Sequence, residues 1–141
     1  MAVSLAALLA GCGGGRGDPV AHDAWVRLPA VAGRPAAAYV SIDGGREAVR
    51  LTSLRVAAAR RVELHETMKD GAVMSMRPVD GIDVPAGGTV ALAPGGAHAM
   101  LFDLDPALKP GGTTKVTLMF DHAPPIELDA ALVAPGGTGP E

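Results

Sequence analysis

Short apolar runs with period-two alternation, separated by glycine and proline clusters, constrain the fold of this chain most strongly. Apolar residues occupy every second position in two long runs: Val116, Leu118 and Phe120, then Ile126, Leu128, Ala130 and Leu132. Such alternation predicts strands with one buried face. Turn signals recur between the runs, at Asp43-Gly44-Gly45, Asp70-Gly71, Pro85-Ala86-Gly87-Gly88, Pro94-Gly95-Gly96 and Pro110-Gly111-Gly112. Many short strands at this spacing predict an all-β antiparallel sandwich or barrel.

Composition sets the size and chemistry of the expected core. The chain has 141 residues and a formal net charge of -3 with both signs interspersed, which does not favour a nucleic-acid partner. It has only four aromatic residues, so the core must be aliphatic. Cys12 is the only cysteine, so no disulfide can form within the chain. We therefore expect one domain that is held together by packing alone.

The N-terminus predicts export and lipidation. Residues 2–10 form an apolar run too short to span a bilayer, and Leu9-Ala10-Gly11-Cys12 matches the cleavage box of bacterial lipoproteins. We expect a signal peptide over 1–11, a lipidated Cys12 with a flexible tether over 12–20, a domain over 21–133 and a tail over 134–141. The alternative is that Cys12 belongs to an ordinary secretory signal. Residues 1–4 carry no Lys or Arg, which departs from the usual signal peptide.

Four soft, neutral side chains indicate a metal site: His65, Met76, His98 and Met100. Imidazole nitrogen and thioether sulfur together are ligands suited to Cu(I). Neither side chain must lose a carboxylate or thiol proton to bind, and neither forms disulfides. The set therefore suits copper binding outside the reducing cytosol.

The turn signal at Asp70-Gly71 allows a geometric test of this set. If these two residues form the loop of a hairpin, His65 lies directly opposite Met76, with the Cβ atoms about 4.5–5.5 Å apart. Met68 then falls on the other face, in the core. His98 and Met100 are two residues apart, so both project from one face of another strand. The two pairs together predict one site with two nitrogen and two sulfur ligands.

The remaining histidines and methionines have ordinary interpretations. We expect His22 and His122 to be hydrogen-bonded surface residues, and Met74 and Met119 to be core or simple surface residues. A blue-copper electron carrier requires a cysteine ligand beside its histidines, and Cys12 lies in the lipoprotein box. Hydrolase motifs such as Gly-x-Ser-x-Gly are absent, so we expect no enzyme. The alternative function is a surface-tethered, non-metal binding or adhesion module with a β-sandwich fold.

The spacing His65-x10-Met76-x21-His98-x-Met100 resembles the motif of the periplasmic copper(I) chaperones of the PCu(A)C type. The flanking sequence is similar to that family too, at Val62-Glu63-Leu64-His65-Glu66, Met74-x-Met76-Arg77-Pro78, Ile82-x-Val84-Pro85 and Pro94-Gly95-Gly96-x-His98. The similarity extends from about Ala21 to Val133. Glu66 occupies a position where the family motif optionally has a methionine. Residues 135–141 contain no His or Met, unlike the metal-binding tails of some members.

The resemblance implies a Greek-key, cupredoxin-like β-sandwich with a surface-exposed Cu(I) site at these four residues. It also implies delivery of copper to the CuA centre of cytochrome c oxidase, sometimes beside a second chaperone of the Sco type. Together, residues and resemblance predict a monomeric, extracytoplasmic copper chaperone, periplasmic or on the outer face of the cell membrane. Cys12 would anchor it to that membrane through lipid.

Overall fold

The computed structural model describes residues 17–140, which form ten strands. They are β1 (Val20–Arg27), β2 (Ala36–Asp43), β3 (Val49–Val56), β4 (Ala59–Asp70), β5 (Val73–Pro78), β6 (Ile82–Val84), β7 (Thr89–Leu92), β8 (His98–Leu104), β9 (Thr113–Phe120) and β10 (Ile126–Val133). Within this range no helix is long and apolar enough to cross a membrane. The predicted signal peptide and Cys12 lie outside the described residues.

The strands form one curled sheet in the order β5-β4-β8-β2-β1-β10-β9-β3-β6, with β7 paired to β2. Near the two ends of this order, β3 and β4 come into contact, so the sheet folds over its own apolar face. Strand pairings are antiparallel except between β1 and β10, which run parallel. The all-β sandwich expected from the sequence is confirmed, with one parallel pairing added to an otherwise antiparallel arrangement.

Aliphatic side chains fill the space inside the curl, as the scarcity of aromatic residues predicts. The largest fully buried side chains are Ile42, Leu51, Leu101, Leu118, Val26, Val40, Val84 and Val116. They come from six of the ten strands, so the core ties most of the sheet together. In contrast, β5 contributes no buried residue at all. It is an edge strand, paired to β4 alone.

The hairpin between β4 and β5 has a different register from the predicted one. Asp70 pairs with Val73, so the loop is Gly71-Ala72, and His65 lies opposite Pro78 rather than Met76. Gly71 adopts a φ of 63°, and glycine at the first loop position is the signature of a type II′ hairpin turn. Gly71 is therefore the first of the two loop residues, whereas the predicted turn had it as the second. The shift is two residues, which preserves the faces, so Met76 still projects from the same side as His65.

The prediction that Met68 belongs to the core is wrong. Met68 does lie on the same face of β4 as Leu64, but its side chain is 38% exposed whereas Leu64 is buried. The end of β4 and all of β5 extend past the core, so no opposing layer covers that face at Met68. Parity along a strand assigns the face of a residue, while burial also depends on where the opposite layer stops.

Substitutions of Leu64 and Met68 test where the core ends along β4. Leu64→Ala should lower the free energy of unfolding by about 2–5 kcal/mol, because it leaves a cavity in the core. Met68→Ala, on the same face of the same strand, should change it by about 0.5 kcal/mol or less. Urea unfolding of both metal-free variants measures the difference. Equal losses would show that the core extends under the hairpin.

Candidate metal centre

Two histidines from neighbouring strands face each other outside the core. His65 of β4 and His98 of β8 are direct register partners, and their ring centroids lie 5.8 Å apart. The adjacent register pair, Leu64 and Ala99, is buried in the core. Because successive residues of a strand point to opposite faces, burial of that pair directs both imidazoles to the other face.

Each imidazole has one hydrogen-bonded nitrogen and one nitrogen without a partner. His65 Nε2 lies 3.0 Å from a carboxylate oxygen of Glu63, and His98 Nδ1 lies 3.2 Å from the carbonyl oxygen of Gly96. Both partners are acceptors, so these nitrogens carry the protons of the neutral rings. Within residues 17–140, His65 Nδ1 and His98 Nε2 are the buried side-chain nitrogen or oxygen atoms that lack a hydrogen bond.

The lone pairs of His65 Nδ1 and His98 Nε2 are therefore buried without a hydrogen-bond donor. An unsatisfied buried polar group costs about 1–3 kcal/mol, so its presence requires an explanation. A metal ion supplies one, since a metal-binding histidine commonly donates its other ring N–H to a carboxylate or a backbone carbonyl. Glu63 and Gly96 provide those two kinds of acceptor. The arrangement of donors fits a metal bound by His65 Nδ1 and His98 Nε2.

The protonation state of His98 also favours metal binding. Burial lowers the pKa of His98 below its ordinary value of 6.5, and this outweighs the hydrogen bond to Gly96, which raises it. Electrostatic repulsion from His65 and Arg27 lowers the pKa further. His98 is therefore neutral at neutral pH, which is the form that coordinates metals.

The loop before His98 holds this residue in place. Leu92 pairs with Val40 and Ala99 with Ala38, so residues 93–98 bulge out of the ladder beside the single residue Tyr39. Within the bulge, Ala93 N donates to Ala97 O and Gly96 N donates to Ala93 O. The Thr67 hydroxyl of β4 donates to Gly96 O at 3.0 Å. The Gly96 carbonyl therefore accepts from both Thr67 and His98.

Aromatic side chains close the site on the side of β2. The Tyr39 ring lies 6.5 Å from the His98 ring and 4.4 Å from the Trp25 ring, measured between centroids. Arg27 donates to the Tyr39 hydroxyl at 2.7 Å. Trp25 and Tyr39 are both buried although they lie on the face opposite the core. His98 is therefore approached from the β4–β5 side.

The two predicted thioether ligands lie on the same face as the histidines. Met100 is half-buried, two residues after His98, and pairs with Glu63 across to β4. Met76 pairs with Thr67, so it lies diagonal to His65 and is 61% exposed. Diagonal neighbours on paired strands are about 7–8 Å apart, within reach of long side chains. Methionine is long and flexible enough to bring its sulfur to the histidine pair.

The other two histidines and Met119 lie outside β4, β5 and β8. His22 is bound to Asp23 and Asp43 at the surface, and His122 is mostly exposed. His22 fits the role of a hydrogen-bonded surface residue, whereas His122 fits only the surface part, since its Nε2 lies 3.9 Å from Asp121 Oδ2. Met119 is half-buried on β9, and Met74 is exposed on β5.

A chain of side chains that supports His65 was not predicted from the sequence. One oxygen of Glu63 accepts from His65, and the other accepts from Arg61 Nη1 at 2.5 Å. The Arg61 guanidinium stacks 4.1 Å from the centroid of the Phe102 ring. Arg61, Glu63 and His65 are spaced two apart and so share one face, which is the sequence signal that could have indicated this chain.

Without Glu63, His65 should no longer be restricted to one tautomer. In the metal-free protein, His65 should carry its proton on Nε2, and Glu63→Ala should add a population protonated on Nδ1. Two-bond ¹H–¹⁵N correlation spectra of the imidazole measure this directly. Cu(I) affinity should fall by about 10–100-fold, as for other residues that orient a metal ligand.

Glu66→Ala is the matched control for that variant. Glu66 follows His65 directly, is exposed and lies on the other face of β4, opposite Arg77. It should leave the tautomer of His65 unchanged. A single Nε2-protonated form in both variants would show that Glu63 does not orient the ring.

Comparisons with known proteins agree with this fold. Residues 20–132 match the family model described as "Putative lipoprotein LpqE-like". The "Putative lipoprotein Lxx21020" of Leifsonia xyli subsp. xyli is 45% identical over 64 residues, which are 45% of this chain and 39% of that protein. The match thus spans well under half of that relative's length.

Solved structures resemble the chain over most of its length. The copper-bound PCuAC domain from PmoF2 is 28% identical with a TM-score of 0.70, covering 84% of this chain and 95% of that chain. CuI-DR1885 from Deinococcus radiodurans is 26% identical with a TM-score of 0.63, covering 85% and 79%. Because the family model matches most of the chain, the protein belongs to the LpqE-like family, and it has the fold of the PCuAC domains.

Proposed function

We propose that this protein is an extracytoplasmic metallochaperone that binds one Cu(I) at His65, Met76, His98 and Met100 and passes it to a partner protein. The observation that carries the proposal is the pair of unpartnered nitrogens on His65 and His98, with two methionines on the same face. The copper-bound PCuAC domain from PmoF2 and CuI-DR1885 support it, because both are similar to this chain.

The donor set suits Cu(I) for a physical reason. Thioether sulfur and neutral imidazole are soft or borderline donors without charge, which a monovalent soft ion accepts and harder divalent ions bind less well. Zinc sites use cysteine, histidine and carboxylates, and this set has only the histidines in common with them. Binding and release of the ion are then the whole chemistry, with no covalent bond made in a substrate.

The exposure of the ligands suits transfer to another protein. His98 is 4% exposed, the His65 side chain 12%, and Met76 61%. A partner's ligand can therefore displace Met76 first, while the buried histidines still hold the ion. The acceptor we propose is the CuA centre of cytochrome c oxidase, directly or through a Sco-type chaperone.

We further propose that the protein acts as a monomer anchored to the membrane by lipid on Cys12, on the periplasmic or outer face. The support is the sequence Leu9-Ala10-Gly11-Cys12 and the lipoprotein names of its family and relative. A membrane-anchored carrier stays close to a membrane-embedded acceptor such as cytochrome c oxidase.

Competition with a Cu(I)-specific chelator tests the copper function. The protein should bind one Cu(I) and retain it far more strongly than Zn(II). Met100→Leu should weaken Cu(I) binding by about tenfold or more. Even the loss of a residue that only orients a metal ligand costs about 10–100-fold in affinity, and Met100 is proposed as a ligand itself. Its effect on the free energy of unfolding should stay below about 1.5 kcal/mol, because the volumes are similar.

Met119→Leu is the control, since Met119 is half-buried outside the site. It should bind Cu(I) like the unchanged protein. Retention of zinc as strong as that of copper would exclude the chaperone function and favour a non-metal binding module.

A further inference from the structure

The edge strand β5 presents a second methionine on the face of the metal centre. Pro78, Met76 and Met74 pair in turn with His65, Thr67 and Lys69, so all three lie on the side of β4 and β5 that carries His65. Met74 is therefore one step beyond Met76 toward the tip of the hairpin. Residues two apart on a strand are separated by about 7 Å, a span that two flexible thioethers can bridge from both sides.

Packing does not explain Met74. Its side chain is 61% exposed, the same fraction as Met76, and β5 has no buried residue. The exposed fraction increases from His98 on β8 to His65 on β4, and from His65 to Met74 and Met76 on β5. Tyr39 and Trp25 close the β2 side of His98, so β5 lies on the open side of the histidine pair.

We propose that Met74 is a fifth Cu(I) ligand, used in transit, which together with Met76 holds the ion at the hairpin surface as it enters or leaves the histidine pair. This inference rests on the proposed copper function. In the outward step a bond from copper to the Met74 sulfur forms while a bond to a histidine nitrogen breaks. Copper stays Cu(I), and no electron or proton moves, because both donors are neutral.

Lys69 makes Met74 a transit ligand rather than a resting one. Lys69 pairs directly with Met74 and lies on the same face. Its positive charge disfavours a cation held permanently beside it, although water screens the repulsion between exposed charges to about 1 kcal/mol at 4 Å. The resting ion is therefore more stable at the histidines, while a brief stay at Met74 remains accessible.

The test separates rate from equilibrium. Met74→Leu keeps the size and apolar character of the side chain but removes the sulfur. The rate of Cu(I) transfer from the loaded full-length protein to the chelator bicinchoninate, followed by stopped-flow absorbance, should fall several-fold. The equilibrium affinity for Cu(I) should not change, because Met74 contacts the ion only during passage.

Met68→Leu is the matched control, since Met68 is an exposed methionine of the same hairpin on the other face. It should transfer copper at the rate of the unchanged protein. Unchanged transfer in Met74→Leu, or equal slowing in both variants, would overturn the inference. So would a loss of equilibrium affinity in Met74→Leu, because Met74 would then be a resting ligand.

These results are distinct from a failure of the proposed function. If the unchanged protein does not bind Cu(I), the chaperone proposal and this inference are both wrong. If it binds Cu(I) and only the Met74→Leu transfer rate stays normal, the chaperone proposal stands and the role of Met74 is removed.

Discussion

The pairing of β4 with β8 determines the arrangement of the candidate metal centre. Leu64 and Ala99 lie opposite each other in the core, and the next pair along the two strands is His65 and His98. A slip of one residue would turn Leu64 outward and His65 inward, at the expense of buried apolar area. The hydrophobic core therefore sets the register that brings the two imidazoles together, so folding of the sandwich also assembles the site.

Support is distributed unevenly around that pair. On one side, the loop of residues 93–98 and the buried Tyr39 and Trp25 fix His98, and the Thr67 hydroxyl ties the loop to β4. On the other side, β5 is an edge strand without any buried residue. The histidines thus belong to the well-packed part of the molecule and Met76 to its exposed margin. Such a division suits a carrier, which must hold an ion firmly and still offer it to a partner.

Much of this arrangement could be predicted from the sequence, because period-two alternation reports the face of each residue. That rule placed His65 and Met76 on one face of the hairpin, and His98 and Met100 on one face of the next strand. The wrong turn assignment did not affect these faces, since a shift of two residues leaves the face of every residue unchanged. The all-β sandwich followed from the same alternation, and the aliphatic core followed from the scarcity of aromatic residues.

The parts that failed depend on contacts distant in sequence. The predicted burial of Met68 was wrong because the opposite layer ends before it, and the alternation of β4 carries no record of where that layer stops. The Asp70-Gly71 register was wrong because β5 packs on no core that would fix it, leaving the turn geometry of Gly71 to decide. The parallel pair of β1 and β10 depends on which strands become neighbours.

We expect His65, Met76, His98 and Met100 to bind one Cu(I) together. X-ray absorption at the copper edge of the Cu(I)-loaded protein tests it most directly, because nitrogen and sulfur neighbours give separate shells. The spectrum should have a Cu(I) edge with both histidine nitrogen and thioether sulfur ligands, and it should lose sulfur intensity in Met100→Leu. A first shell of nitrogen and oxygen alone, unchanged by that substitution, would show that the four residues do not form the site.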